Sequence, residues 1–306
     1  MPLLTTKLYI PPPRSNLVPR PHLIERLDEG LRHGHKLALV SAPAGFGKTT
    51  LVTEWLYSKD RTISSRFIAW LSLDEGDNDP ARFFTYLIAA LRRIDENIGQ
   101  ATQSLLGAPQ LPPLESLTTL IINDIAPVSP FVLVLDDYHL IHTAHIHDAL
   151  TFLLEHQPPQ MHLCLVTRGD PPLSLPRLRV RGQVTEIRAD DLRFTEEEAA
   201  TFLNQALGLT LDDGKVAALE ARTEGWIAGL QLAALSMQGK QDIAGFIEAF
   251  SGSNRHVIDY LAAEVLAQQS PEMRDFLCQT SILDQLTGAL CQAVTGKDNS
   301  AALLKQ

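Results

Sequence analysis

The segment Ser41-Ala42-Pro43-Ala44-Gly45-Phe46-Gly47-Lys48-Thr49-Thr50 restricts this chain to very few folds. It follows the apolar run Leu37-Ala38-Leu39-Val40, which reads as a short buried strand. After it comes Leu51-Val52-Thr53-Glu54-Trp55-Leu56, which reads as a helix. Strand, glycine-rich loop and helix in that order are the context a phosphate loop requires. Gly45 and Gly47 let the backbone curl, so that successive N–H groups face inward at a helix N-terminus and form an anion nest. In this pattern Pro43, Ala44, Phe46 and Thr50 complete the nucleotide cradle. Lys48 reaches the β- and γ-phosphates, and the Thr49 hydroxyl ligates Mg²⁺. The usual first glycine is replaced by Ala42, which is tolerable where the turn needs no positive φ.

At 306 residues, with 45% apolar and 20% charged side chains, the chain is long enough for one large domain or several modest ones. No apolar run approaches the roughly 20 residues needed to span a bilayer. The N-terminus lacks a continuous apolar signal core before Pro11-Pro12-Pro13, so a cytoplasmic protein with no membrane partner is expected. A formal net charge of −10 argues against this stretch itself gripping a nucleic-acid backbone. The basic run Arg177-Leu178-Arg179-Val180-Arg181 is too short to reverse that. Cys164, Cys278 and Cys291 are widely spaced among apolar neighbours, which indicates buried reduced thiols.

Residues 1–20 are proline-rich and read as an extended arm. A helix is expected from Pro21 to Leu31, a strand at Phe67–Leu71, and a helix capped by Asp79 with Pro80 at its first position. Residues 97–113, with Gly107, Pro109, Pro112 and Pro113, read as a loop, and Leu114 to Ile125 as a helix. Phe131–Leu135 and Met161–Thr167 are continuous apolar runs of strand length, as central parallel strands require. Strands alternating with helices predict an α/β doubly wound parallel sheet up to about residue 190. Beyond it only helical patterns are legible, opening on the capping box Thr195-Glu196-Glu197-Glu198.

Leu135-Asp136-Asp137 closes the central strand with two carboxylates. Asp136 at that strand end is placed to hold Mg²⁺, and Asp137 to polarise a water attacking the γ-phosphate. Arg168 ends the next strand, where a guanidinium can touch the γ-phosphate. His139, His142, His145 and His147 cluster, but without the spacing of a metal motif, and read as a polar helix start. Gly225-Trp226-Ile227-Ala228-Gly229 places two glycines in an apolar helical stretch, which permits close backbone approach either to another helix or to a base.

Several segments in sequence order resemble one family. These are Leu4–Leu8, Val18-Pro19-Arg20, the Ala42–Thr50 loop, Leu135–His139, Thr167–Pro172, Arg188–Thr195 and Thr223-Glu224-Gly225-Trp226. Together they are similar to the MalT-like transcriptional activators of the LuxR family, which are signal-transduction ATPases with numerous domains (the STAND class). The resemblance implies a P-loop NTPase domain at 1–189, a helical lid at 190–250 and an incomplete winged-helix domain at 251–306. It implies that Val18 and Arg20 lie near the adenine or ribose, and that Trp226 and Ile227 close over the nucleotide. Many relatives carry proline where Ile227 stands. It further implies a slow regulatory ATPase with an ADP-bound resting state and an ATP-bound, self-associating active state. Inducer and DNA would be bound by regions outside these residues. A motor ATPase or small-molecule kinase is the alternative.

Overall fold

The computed structural model describes residues 2–13, 17–58, 67–108, 110–237, 242–250, 255–283 and 285–304. Five strands are laid down in chain order: β1 (Leu37–Ser41), β2 (Ile68–Ser72), β3 (Phe131–Asp136), β4 (Met161–Thr167) and β5 (Val184–Ile187). They form one sheet in the order β2-β3-β4-β1-β5, every pairing parallel. Side chains alternate across a strand, so each strand serves both faces. One face carries Leu37, Leu39, Leu71, Leu133, Leu135, Leu163 and Leu165. The other carries Ala38, Val40, Trp70, Val132, Val134, Cys164 and Val166. Both faces are fully covered, which explains why the central strands read as unbroken apolar runs.

The valine-rich face is covered by α1 (Pro21–Arg32) and α2 (Lys48–Tyr57), through Leu23, Leu27, Leu51, Val52 and Trp55. The leucine-rich face takes α3 (Pro80–Leu91), α4 (Gln100–Leu106), α5 (Leu114–Ile125) and α6 (Ala144–Glu155). Asp79 caps α3 as its composition predicts, its carboxylate accepting the Arg82 N–H at 2.8 Å. The short α7 (Leu175–Val180) leads into β5 and holds the Arg177–Arg181 basic run up to its C-cap.

The loop expected over 97–113 is corrected by α4. Gly99, at φ 75, supplies the left-handed turn that starts it, and Thr102 is fully buried. So short a helix shows little periodicity in sequence. The N-terminal arm is not wholly extended either. Thr5–Leu8 form a 3₁₀ turn whose Lys7 is buried, paired with Asp74 at 3.0 Å and with Asp77.

Past the sheet the chain is helical: α8 (Ala189–Leu192), α9 (Glu196–Ala200, continuing as a π-helical turn over Thr201–Ala206), α10 (Asp213–Thr223), α11 (Ile227–Met237) and α12 (Ile243–Ala249). Thr195 and Glu198 form the expected capping box. Then follow α13 (Arg255–Glu264), α14 (Pro271–Thr280), α15 (Gly288–Thr295) and α16 (Ser300–Leu303). The chain divides into two compact units, Met1–Ala234 and Leu235–Gln306. Within the second, Met273, Phe276, Cys291 and Leu303 form a small core of their own. Among the described residues no helix is long and apolar enough to cross a membrane.

Candidate functional site: a phosphate loop under a helix start

The C-terminal ends of β1, β3 and β4 lie side by side, where ligands settle on open parallel sheets. The loop leaving β1 turns on Gly45 (φ 79) and Gly47 (φ 75), and Gly47 is the N-cap of α2. Ala42 is absent from the residues with positive φ, so the missing first glycine costs the turn nothing. Its N–H instead donates to the Thr167 carbonyl at 3.3 Å, tying the loop to β4.

Lys48 is buried, and its ammonium donates to the Pro43 carbonyl at 2.9 Å. Burial, and then the charge of Arg168, brings its pKa down to about 8. The Thr49 hydroxyl donates to both carboxylate oxygens of Asp136, at 3.1 and 3.2 Å. Asp136 also accepts the Asp137 N–H at 3.0 Å. Burial, reinforced by the neighbouring Asp137, pushes the Asp136 carboxyl up to about 7. A hydroxyl and a carboxylate meeting at the loop's foot are the hard oxygen ligands that suit Mg²⁺. Thr50 follows in the first turn of α2, half-buried, and Phe46 packs against the valine-rich core.

Asp137 takes a left-handed conformation (φ 56) and stays half-exposed. Its carboxylate lies 3.9 Å from Nδ1 of His139. Both ring nitrogens of His139 are buried without a hydrogen-bond partner among the described residues. Burial, then the charges of Arg168 and Lys48, lowers its pKa to about 3, so the imidazole is neutral. The shared electrostatics place Arg168, Lys48, Asp137 and His139 in one neighbourhood. His139 is the site residue that the sequence argument passes over in favour of the histidine cluster. Its signal is position: two residues past Asp137 in the turn that closes β3. His145 and His147 belong to the first turn of α6, and among the described residues no group of three His, Cys, Asp or Glu could share a metal.

The other wall of the site comes from the start of α11. Trp226 Nε1 donates to the Ala44 carbonyl at 3.1 Å, and the Ala228 N–H donates to the Gly45 carbonyl at 3.1 Å. A helix N-terminus carries N–H groups without intrahelical partners, and here the phosphate loop satisfies one of them. Ile227 is close enough that a Cβ built on Gly47 would meet its Cδ1 at 3.0 Å. The turn before α11 is set by Glu224 (φ 50) and Gly225 (φ 67). Asp137 and Glu224 are the non-glycine residues with positive φ among those described, and both stand at this site. Such conformations persist where surrounding structure over-determines them. Arg193 holds Glu224 through its carbonyl (2.7 Å) and carboxylate (2.8 Å), and Phe194 N–H donates to the Gly225 carbonyl at 2.9 Å.

Val18 is buried, as is Arg20. The Arg20 guanidinium donates to the carbonyls of Leu192 (2.8 Å), Asp191 (2.9 Å) and Arg193 (2.9 Å), and to Glu198 (3.0 Å). It therefore anchors the 191–193 segment that in turn supports the Glu224–Gly225 turn.

Comparison with known proteins agrees with this architecture. Residues 262–306 match the MalT winged helix domain family. The chain is 36% identical to the HTH-type transcriptional regulator MalT of Klebsiella pneumoniae over 307 residues, 99% of this chain and 33% of that protein. MalT of Vibrio cholerae is likewise 36% identical over 305 residues, with the same coverage of 99% and 33%. The chain thus spans about a third of the length of these curated relatives, 33% in each case. Among solved structures, a Walker-type ATPase of Pyrococcus abyssi superposes with a TM-score of 0.59 at 14% identity, covering 97% of this chain and 91% of that one. That likeness carries the fold alone. With 99% of its length aligned at 36% identity, the chain is similar to MalT regulators over a third of their length, and its five-stranded parallel sheet behind a phosphate loop has a P-loop fold.

Proposed function

We propose that this chain binds ATP and ADP with Mg²⁺ and serves as a slowly hydrolysing regulatory switch. The observation that carries the proposal is the docking of α11 on the phosphate loop, through Trp226 Nε1 to Ala44 and the Ala228 N–H to Gly45. A helix seated on the nucleotide cradle makes the state of the cradle legible to the rest of the chain. Residues 1–189 act as the nucleotide-binding domain, 190–250 as the helical lid, and 251–306 as part of a winged-helix domain.

The residues fit the group they would hold. Thr49 and Asp136 offer oxygen ligands to Mg²⁺, and the ion when bound neutralises phosphate charge. Lys48 exchanges the Pro43 carbonyl for phosphate oxygens, a stronger, charge-assisted contact. Asp137 accepts a proton from the attacking water, with neutral His139 beside it, and Arg168 stabilises charge on the terminal phosphate. Val18, Trp226 and Ile227 border the nucleoside end.

The relatives are named transcriptional regulators, and the nucleotide state of this chain would govern such a response. ADP would hold a resting form, and ATP with a small-molecule or protein inducer would permit self-association in the cytoplasm. Inducer recognition and DNA contact would belong to regions outside these 306 residues.

Single-turnover hydrolysis of labelled ATP tests the proposal. The expected rate is below roughly one per second, the low end of enzyme turnover. Asp137→Asn should slow it by about a hundredfold or more, the usual worth of a general base, with ADP affinity unchanged. Fast turnover without any inducer would favour a motor ATPase, and label in an acceptor other than water would favour a kinase.

A further inference from the structure

The short loop that carries Arg168 is held at both ends. On one side Thr167, the last residue of β4, pairs with Ser41 of β1, and its carbonyl receives the Ala42 N–H at 3.3 Å. The Thr167 hydroxyl also donates to the Gly169 carbonyl at 3.0 Å. On the other side each oxygen of the Asp170 carboxylate receives one arginine. Arg179 Nη2 donates to Oδ2 at 3.0 Å, and Arg188 Nη1 donates to Oδ1. Both arginines also grip Glu186 on the edge strand β5, Arg179 at 2.8 Å and Arg188 at 2.5 Å. The hydrogen bond from Arg188, ahead of that from Arg179, holds the Asp170 carboxyl below its ordinary range.

This ring of two arginines and two carboxylates is substantially solvent-exposed, with Asp170 at 45% and Arg179 at 38%. Exposed pairs contribute little to stability. Fork-shaped guanidinium contacts nevertheless fix direction as well as distance. The ring clamps the residue two positions after Arg168 to β5, while Thr167 clamps the residue before it to the phosphate-loop strand. Arg168 is thereby held where its charge acts on Lys48 and His139.

We infer that Asp170 is a positioning residue: held by Arg179 and Arg188, it fixes the backbone from which Arg168 serves the terminal phosphate. This rests on the ATP hydrolysis proposed above. In single-turnover assays at saturating ATP and Mg²⁺, Asp170→Asn should slow hydrolysis by about tenfold, well within what a small misplacement costs. ADP affinity and the urea unfolding midpoint should hold, and Asp170→Glu should retain more activity than Asp170→Asn. In an Arg168→Ala background, Asp170→Asn should cause no further loss, because Asp170 acts through Arg168. Wild-type rates for Asp170→Asn, or an undiminished further loss in the Arg168→Ala background, would overturn the assignment. A wild-type chain that turns over no ATP would instead remove the hydrolysis proposal, and this assignment with it.

Discussion

Gly225→Ala should lower unfolding stability by about 2–4 kcal/mol, combining left-handed strain with overpacking. Gly225 has φ 67, and a Cβ there would stand 2.5 Å from the Phe194 carbonyl oxygen and 2.9 Å from the Phe194 nitrogen. Both are backbone atoms, so no side chain can turn aside. The same residue's carbonyl accepts the Phe194 N–H, so the collision also opens the contact that sets the entry of α11. Against a typical domain stability of roughly 5–15 kcal/mol the loss is large. Gly182→Ala separates the two contributions, because Gly182 shares the conformation (φ 60) but has nothing within 4 Å of the added carbon. Urea unfolding of both variants should show Gly182→Ala losing only about 1–2 kcal/mol. Equal losses would contradict the packing account.

The second large effect is expected at Lys48. Its ammonium is buried and donates to the Pro43 carbonyl, which a phosphate can replace. Burial has already brought its pKa down to about 8, so the cation is poorly solvated before any ligand arrives. An anion arriving there meets a charge with little hydration to give up. Hydrogen bonds to charged groups contribute about 1.5–3 kcal/mol each, and every 1.4 kcal/mol is about tenfold in affinity. Lys48→Ala should therefore weaken ADP and ATP binding by about a hundredfold in titration calorimetry. Stability without nucleotide should not fall, since the substitution removes a buried charge. A dissociation constant within about threefold of wild type would remove Lys48 from the site. The variant tests the nucleotide site; it does not distinguish a switch from a conventional enzyme.

These two residues differ in how visible they are in the sequence. Lys48 is legible because the phosphate loop is built from local rules: a strand, glycines at fixed spacing and a helix. The same holds for β4, expected and found at Met161–Thr167, and for α5 at Leu114–Ile125, where periodicity and length agree. The helix α4 escapes such rules because it is short and begins on a left-handed glycine inside a proline- and glycine-rich stretch. The edge strand β5 has only four residues, and its buried positions alternate with half-buried ones, a weak signal. The contacts of α11 with the loop are invisible for another reason. They end on the carbonyls of Ala44 and Gly45, and any residue offers a carbonyl. Arg20 shows the same limit. The family resemblance alone marks it, as lying near the adenine or ribose, and only the fold reveals that its guanidinium spends its donors on the carbonyls of 191–193 and on Glu198.

Physically, the site is a phosphate cradle whose outer wall is a helix start. A Cβ built on Gly47 would stand 3.0 Å from Ile227 Cδ1, so this side chain lies against the loop. The flanking residues Trp226 and Ala228 supply the hydrogen bonds, so the docking does not depend on the side chain between them. On the proposed switch reading, a helix held in this way slows the exchange of the nucleotide beneath it.

The most direct test of that claim is the nucleotide carried by the purified wild-type chain, released by denaturation and identified by mass spectrometry. A switch resting under its own lid predicts ADP at close to one equivalent per chain. An empty site that exchanges ATP and ADP freely would contradict it.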